Sequence, residues 1–249
     1  KAIANQMYKN GADIVYHAAG GVGDGVIEAA KEQNKYAIGV DLGGTKVKIG
    51  IVTSEGRIVK KLSVPTLASE GVEKSLSQIK QGISKILEGT QLKLSGIGIG
   101  SPGVVSLKKG TVENPPNLPG WEKVHLGKII NKEFSLPTFV ENDANAAAIG
   151  ELIYGAGRKI DSFIMVTLGT GVGGGIIYNN QLFRGDFGAA GEIGHLTIGK
   201  NGPKCNCGSF GCLETYLGNN YLVANVKEQI MDTDSQILNM IDNNLDSLT

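Results

Sequence analysis

Apolar residues recur along this chain in two rhythms, short runs and stretches at helical spacing, with glycine-rich punctuation between them. From Tyr36 the pattern predicts a strand over Tyr36–Val40, a turn at Asp41-Leu42-Gly43-Gly44-Thr45-Lys46, a second strand Val47–Thr53 and a third, Arg57–Val64. Val72, Leu76, Ile79, Ile83 and Ile86 stand three or four apart, so Gly71–Glu88 is expected as an amphipathic helix with one buried face. Ser95–Gly100 reads as a strand of small residues ending in the turn Ser101-Pro102-Gly103, and Pro115–Trp121 as a rigid loop holding the only tryptophan. Thr138–Glu141 is a strand running into Asn142-Asp143-Ala144-Asn145 and an alanine-rich helix to Tyr154. A buried strand is expected over Ser162–Leu168, then the turn Gly169–Gly175 and the strand Ile176–Tyr178. After Tyr216 the chain reads as helical, with Leu222, Val226 and Ile230 on one face and Ile237, Ile241, Leu245 and Leu248 on a further stretch.

Residues 1–36 have a different layout. A helix leads to a strand over Ala12–His17, a turn at Gly20-Gly21-Val22-Gly23-Asp24-Gly25 and a helix over Val26–Gln33. Asp41 falls at the offset of a dinucleotide fingerprint acid, but the third glycine position is Val26, which weakens that reading. The first residue is Lys1, so the chain is expected to be part of a longer or processed one.

Composition narrows the classes. The 249 residues carry 24 Lys plus Arg against 24 Asp plus Glu, with no basic stripe, which argues against nucleic acid or an anionic membrane as partner. No apolar run approaches a membrane span, and no secretory signal is expected. The 37 glycines cluster after apolar segments, as tight phosphate-type loops do. A cytoplasmic protein is expected.

All 3 cysteines, Cys205, Cys207 and Cys212, fall in Gly191–Glu214, with His195 upstream. Three thiolates and an imidazole complete a tetrahedral structural zinc set. A disulfide or free thiols remain open, although an odd count leaves one thiol over. Glu192 and Glu214 flank the same stretch, so an ion that fixes the loop also fixes the carboxylates it presents.

Two turns, Asp41–Lys46 and Gly169–Gly175, each follow an apolar strand and precede another. Glycine and threonine there let backbone N–H groups and a hydroxyl approach an anion, though DLGGTK alone could be an ordinary Gly-Gly hairpin. Together the turns suggest two related sheets gripping successive phosphates of one nucleotide. Asp143 is equally well placed as a helix N-cap and as a base at a strand-to-helix switch.

The motifs IGVDLGGTK, GSPGVV, ENPPNLPGW, VENDANAAAIGE, TLGTGVGGGII, GEIGH and CNCGSFGCLE stand in the order of one family. Residues 37–217 thereby resemble the ROK family of sugar kinases, repressors and relatives, its bacterial glucokinases most of all. The resemblance implies an α/β chain with the actin-like ATPase (ribonuclease H-like) fold, two domains around a cleft. Residues 37–140 would form the N-terminal domain and 141–249 the C-terminal one. That second domain would be incomplete, because family members continue into a glycine-rich strand-and-turn that packs the adenosine.

The implied reaction is ATP-dependent phosphorylation of a hexose hydroxyl, glucose to glucose 6-phosphate first among the candidates. The resemblance puts the ATP phosphates on Gly43, Gly44, Thr45 and Lys46 and on Gly169, Thr170 and Gly171, with Asp41 orienting Mg²⁺. Asn117, Asn142, Asp143, Glu192, His195 and Glu214 would bind the sugar, with Asp143 as general base. Structural Zn²⁺ would sit on His195, Cys205, Cys207 and Cys212. A homodimer is expected of the full-length protein.

A non-catalytic sugar sensor or repressor of the same family is the alternative. Such repressors carry a helix-turn-helix ahead of the DLGGT-like turn, whereas here a βαβ-like segment without a basic recognition helix precedes it. That segment, through GADIVYHAAGGVGDGVIEAAKE and YAIGVD over residues 1–41, resembles the basic-membrane-protein (nucleoside-binding lipoprotein) family. It implies an appended piece of a periplasmic-binding-protein-like domain and, as a third function, nucleoside binding.

Overall fold

The computed structural model describes residues 36–53, 56–186 and 188–230. The elements expected before Tyr36 and the helical stretch Ile237–Leu248 lie outside them. The chain divides into two compact units, Lys1–Met165 with Gly175–Ala190, and Val166–Gly174 with Gly191–Thr249.

The first unit is built on a five-stranded sheet. Strands β1 (Tyr36–Leu42), β2 (Lys46–Val52) and β3 (Ile58–Pro65) form an antiparallel meander. After helix α1 (Val72–Leu87), strand β4 (Leu94–Ser101) returns parallel to β1. Small strands β5 (Val104–Ser106), β6 (Thr111–Glu113) and β7 (Lys123–Val124) form a second sheet, and helix α2 (Leu126–Phe134) follows. Strand β8 (Thr138–Asn142) then pairs parallel to β4, giving the order β3-β2-β1-β4-β8.

The apolar periodicity explains this assembly. Leu76, Ile79, Ile83 and Ile86 of α1 are buried with Ile38, Val40, Ile49, Ile51, Ile97 and Ile99 of the sheet in one cluster. Trp121 and Leu118 seat the proline-rich loop in that cluster. Because β1, β4 and β8 are parallel, their carboxyl ends lie along one edge, with Asp41 paired to Gly100 and Gly100 to Glu141. Loops at the carboxyl ends of parallel strands are where open α/β sheets bind ligands.

Helix α3 (Asp143–Ile153) follows β8 directly, and β9 (Phe163–Leu168), β10 (Val172–Tyr178) and β11 (Gln181–Phe183) make a sheet in the order β11-β10-β9. The second unit holds the 3-10 turn Ile193–His195, the cysteine loop, and helices α4 (Glu214–Leu217) and α5 (Asn219–Ile230). No helix among the described residues is long and apolar enough to cross a membrane.

Several expectations change. The glycine turn is shorter, because Gly173, Gly174 and Gly175 belong to β10. A Cβ on Gly174 would meet the Gly191 carbonyl and Ile193, a close backbone approach of the kind that selects glycine within a strand. Strand β9 is not buried throughout, for Ile164, Val166 and Leu168 are exposed on alternate positions. The β5–β7 sheet and α2 are additions to the expected elements, although Leu126 and Ile130 of α2 are buried at helical spacing.

Candidate functional site

In the first unit, the candidate residues gather at the carboxyl edge of β1, β4 and β8. At the β8–α3 junction the N-cap is Asn142 and not Asp143: Asn142 Oδ1 accepts from the Asn145 N–H at 3.0 Å, while Asn142 Nδ2 donates to the Gly103 carbonyl at 3.3 Å. The expected capping alternative for Asp143 is thereby corrected. Asn142 has the extended backbone a cap requires, and Asp143 is already the first helical residue.

Asp143 Oδ1 accepts from the Ala144 N–H at 2.8 Å. Burial pushes the Asp143 carboxyl above its ordinary range; the Ala144 hydrogen bond opposes this and the Asp41 charge adds to it. Asp41 shifts the same way, burial outweighing the Lys48 ammonium, whose Nζ lies 3.2 Å from Asp41 Oδ2. Two carboxyls raised toward neutrality on one strand edge suit an acid–base or cation-binding role.

The Asp41–Lys46 turn is held from behind. Gly43 N–H donates to the Lys46 carbonyl at 3.1 Å, the Thr66 hydroxyl donates to the Gly43 carbonyl at 2.6 Å, and Thr66 N–H to the Thr45 carbonyl at 2.9 Å. With those carbonyls occupied on the Thr66 side, the turn can offer N–H groups elsewhere. Gly44 packs on the proline-rich loop, since a Cβ there would lie 2.7 Å from Asn117 Cβ. The structure therefore brings Asn117 to the Gly43–Lys46 turn, with Asn117 itself exposed. Two further contributors had no sequence signal strong enough to single them out: Thr66, which is fully buried, and the Glu141–Arg184 ion pair. Arg184 donates through Nη2 at 2.6 Å and Nε at 3.1 Å to Glu141 Oε2, and Glu141 Oε1 accepts from the Asn142 N–H at 2.9 Å. Nothing in the spacing of residues 141 and 184 announces that pair; only the run Glu141-Asn142-Asp143 hints that an acid precedes the cap.

In the second unit, the ligand atoms of His195, Cys205, Cys207 and Cys212 all lie within 4.8 Å of one another. Cys207 Sγ to Cys212 Sγ is 3.7 Å and Cys205 Sγ to His195 Nδ1 is 3.6 Å. Tetrahedral zinc with ordinary bond lengths has S···S and S···N edges of about 3.8 and about 3.6 Å, so the donor set fits. All three cysteines are free, without a disulfide. Burial and the neighbouring thiols push Cys212 up to about 11, while the Ser209 N–H pulls Cys207 down. A divalent cation is what allows such a crowd of thiols to ionise together. With Nδ1 of His195 turned to Cys205, its Nε2 stands 4.0 Å from Glu192 Oε2.

Glu214 meets the other glycine turn. Its Oε2 accepts from the Val172 N–H at 2.9 Å, and a Cβ on Gly171 would collide with the same carboxylate. Asn219 N–H donates to the Gly169 carbonyl at 2.9 Å. The second unit thus joins Glu214 to Gly169–Gly171, and Glu192 to His195.

A profile of the ROK family matches residues 37–247. The glucokinase of Thermotoga maritima is 42% identical over 177 residues, which is 71% of this chain and 55% of that protein. The xylose repressor of Caldicellulosiruptor bescii is 37% identical over 196 residues, 78% of this chain and 49% of that protein. The crystal structure of a ROK family glucokinase from Streptomyces griseus in complex with glucose and AMPPNP superposes with a TM-score of 0.76 at 40% identity, covering 86% of this chain and 68% of that one. The chain spans about half the length of the curated relatives it matches. The expected actin-like α/β fold stands on these likenesses. The matched residues begin at 37, and they lend nothing to the basic-membrane-protein resemblance of residues 1–41.

Proposed function

The chain belongs to the ROK family, and from that premise we propose that the protein phosphorylates a hexose hydroxyl with ATP. Glucose leads among the hexoses because the Thermotoga maritima relative is a glucokinase and the Streptomyces griseus structure holds glucose and AMPPNP. The observation that carries the reading is Asp143: a carboxyl at a parallel strand end, raised by burial, with Asn142 and not itself serving as helix cap.

A sugar hydroxyl is a poor nucleophile, and Asp143 would take its proton as the bond to phosphorus forms. A carboxylate of raised pKa holds that proton better. Asn117, Asn142, Glu192, His195 and Glu214 would orient the sugar through paired hydrogen bonds, so an analogue lacking one hydroxyl leaves a polar group unpaired and is rejected.

Phosphoryl transfer otherwise demands positioning and neutralisation of spread negative charge. Gly43, Gly44, Thr45 and Lys46 would hold one part of the triphosphate and Gly169, Thr170 and Gly171 another. The Gly169 N–H already donates to the Gly171 carbonyl and the Val172 N–H to Glu214, which leaves the N–H groups of Thr170 and Gly171 for an anion. Asp41 would receive Mg²⁺, exchanging the Lys48 ammonium for the metal. Zn²⁺ on His195, Cys205, Cys207 and Cys212 would fix the loop that presents Glu192 and Glu214. Its binding would also set the His195 tautomer, with Nδ1 on the metal side.

A second reading is a sugar-responsive protein without turnover, favoured by the 37% identity to a xylose repressor. ADP release, followed with glucose, mannose, fructose and N-acetylated hexosamines, separates the two. It should be run on this chain and on a form extended to the relatives' length. ADP formed only with a hexose supports the kinase. Hexose binding with no ADP from either form would establish the sensor instead.

A further inference from the structure

Glu214 is assigned to the sugar and Gly169–Gly171 to the nucleotide, yet within the second unit they are one construction. The Glu214 carboxylate has two oxygens, and Oε2 is committed to the Val172 N–H at 2.9 Å. The same carboxylate fills the space that a side chain on Gly171 would need. The peptide after it completes the grip: Gly218 N–H donates to the Glu214 carbonyl at 2.8 Å, a Cβ on Gly218 would lie 3.1 Å from the Thr170 carbonyl, and Asn219 N–H donates to the Gly169 carbonyl at 2.9 Å. The loop cannot shift without moving Glu214, and Glu214 cannot swing without releasing Val172.

We propose that Glu214 couples the two ligands: its carboxylate clamps the Gly169–Gly171 loop, so that sugar affinity and nucleotide affinity are linked through this one side chain. The proposal rests on the kinase reading and adds a route for communication to it. The linkage is reciprocal. A ligand that orders the loop sets the Glu214 oxygens for the sugar, and a sugar held on Oε1 stiffens the loop for phosphate.

The discriminating variant is Gly171→Ala, a change in the nucleotide loop read out on the sugar. Glucose is titrated calorimetrically in the absence of nucleotide. The added methyl displaces the Glu214 carboxylate, and the glucose Kd rises by about fivefold or more, the lower end of ordinary coupling between sites. Lys200→Ala is the comparison, an exposed change in the same unit away from the clamp, and it leaves the glucose Kd within about twofold. Equal glucose affinity in the unaltered chain and Gly171→Ala overturns the clamp alone. A chain that binds no hexose overturns the kinase reading and the clamp with it.

Should Gly171→Ala fail to fold, exchange of the Val172 amide decides the same question. Glu214→Ala speeds that exchange about tenfold, the loss of one charge-assisted hydrogen bond, while Glu214→Gln keeps an acceptor and the unaltered rate. One rate shared by all three proteins overturns the proposal.

Discussion

The first unit sets Asp143 on a strand end backed by a large apolar cluster, with Ile38, Val40, Ile97, Ile99 and Val140 buried on its own three parallel strands. The second unit sets Glu192 just before the 3-10 turn and Glu214 at the start of the four-residue helix α4, with little of that support. Among its described residues, the buried hydrophobic side chains are Val172, Cys205, Cys212 and Ile230, and two of those are thiols of the cluster that could hold a metal ion. A core spreads stability over many small contacts, whereas four ligands around one ion concentrate it in a single event. Losing one contact in the first unit should weaken that unit; losing an ion from the second should unfold its loop.

Chelation tests that contrast most severely. Structural zinc contributes on the order of 10 kcal/mol to small domains at neutral pH. A strong chelator should release one zinc per chain to a colorimetric reporter. Hydrogen exchange should then rise sharply across residues 191–217 while β1 and β4 stay protected. Uniform protection before and after chelation would show that the second unit needs no ion.

Arg184→Ala comes next. It strands Glu141, whose side chain is 12% exposed, without its guanidinium. Removing one partner of a largely buried pair costs about 3 kcal/mol, read as a lower midpoint in urea. Because Glu141 Oε1 also holds the Asn142 N–H, turnover should fall with it. Gly44→Ala is somewhat milder: its methyl would meet the Asn117 Cβ and carbonyl on a loop that Leu118 and Trp121 anchor in the core. It should cost about 2 kcal/mol of stability and raise the KM for ATP more than that for the sugar.

Lys48→Gln is the smallest change. The Lys48 side chain is 57% exposed, so solvent screens its pair with Asp41 and stability moves by about 0.5 kcal/mol or less. Its signature is electrostatic. The charge that lowers Asp41 is gone, and an NMR titration should find the Asp41 carboxyl raised further than in the unaltered chain. An unchanged Asp41 titration would show that Lys48 does not act on it.

The same contrast governs how legible each unit is in the sequence. In the first unit the strand and helix periods are plain, because Leu76, Ile79, Ile83 and Ile86 repeat at the spacing of a buried helical face. In the second unit periodicity says little, and the cysteine spacing with His195 does the identifying. What stays hidden are contacts that depend on tertiary approach. Thr66 reaching Gly43, Arg184 reaching Glu141 and Glu214 reaching Val172 join residues 23, 43 and 42 positions apart. No local rule ties such pairs. The cap at Asn142 is obscured for a different reason: Asn142 and Asp143 are adjacent and both favour caps, and only backbone conformation chooses between them.

Asp143→Asn tests the central claim most directly. The folded carboxyl titrates above its ordinary 3.8, so the fold binds the proton more tightly than the open chain, and stability falls as pH rises through that window. The amide cannot carry the charge that burial disfavours, and the variant should melt no lower than the unaltered chain. It should still bind glucose, while hexose-dependent ADP formation falls by about 10²- to 10⁴-fold. Near-normal turnover in a folded, glucose-binding Asp143→Asn would contradict the assignment of Asp143 as the base.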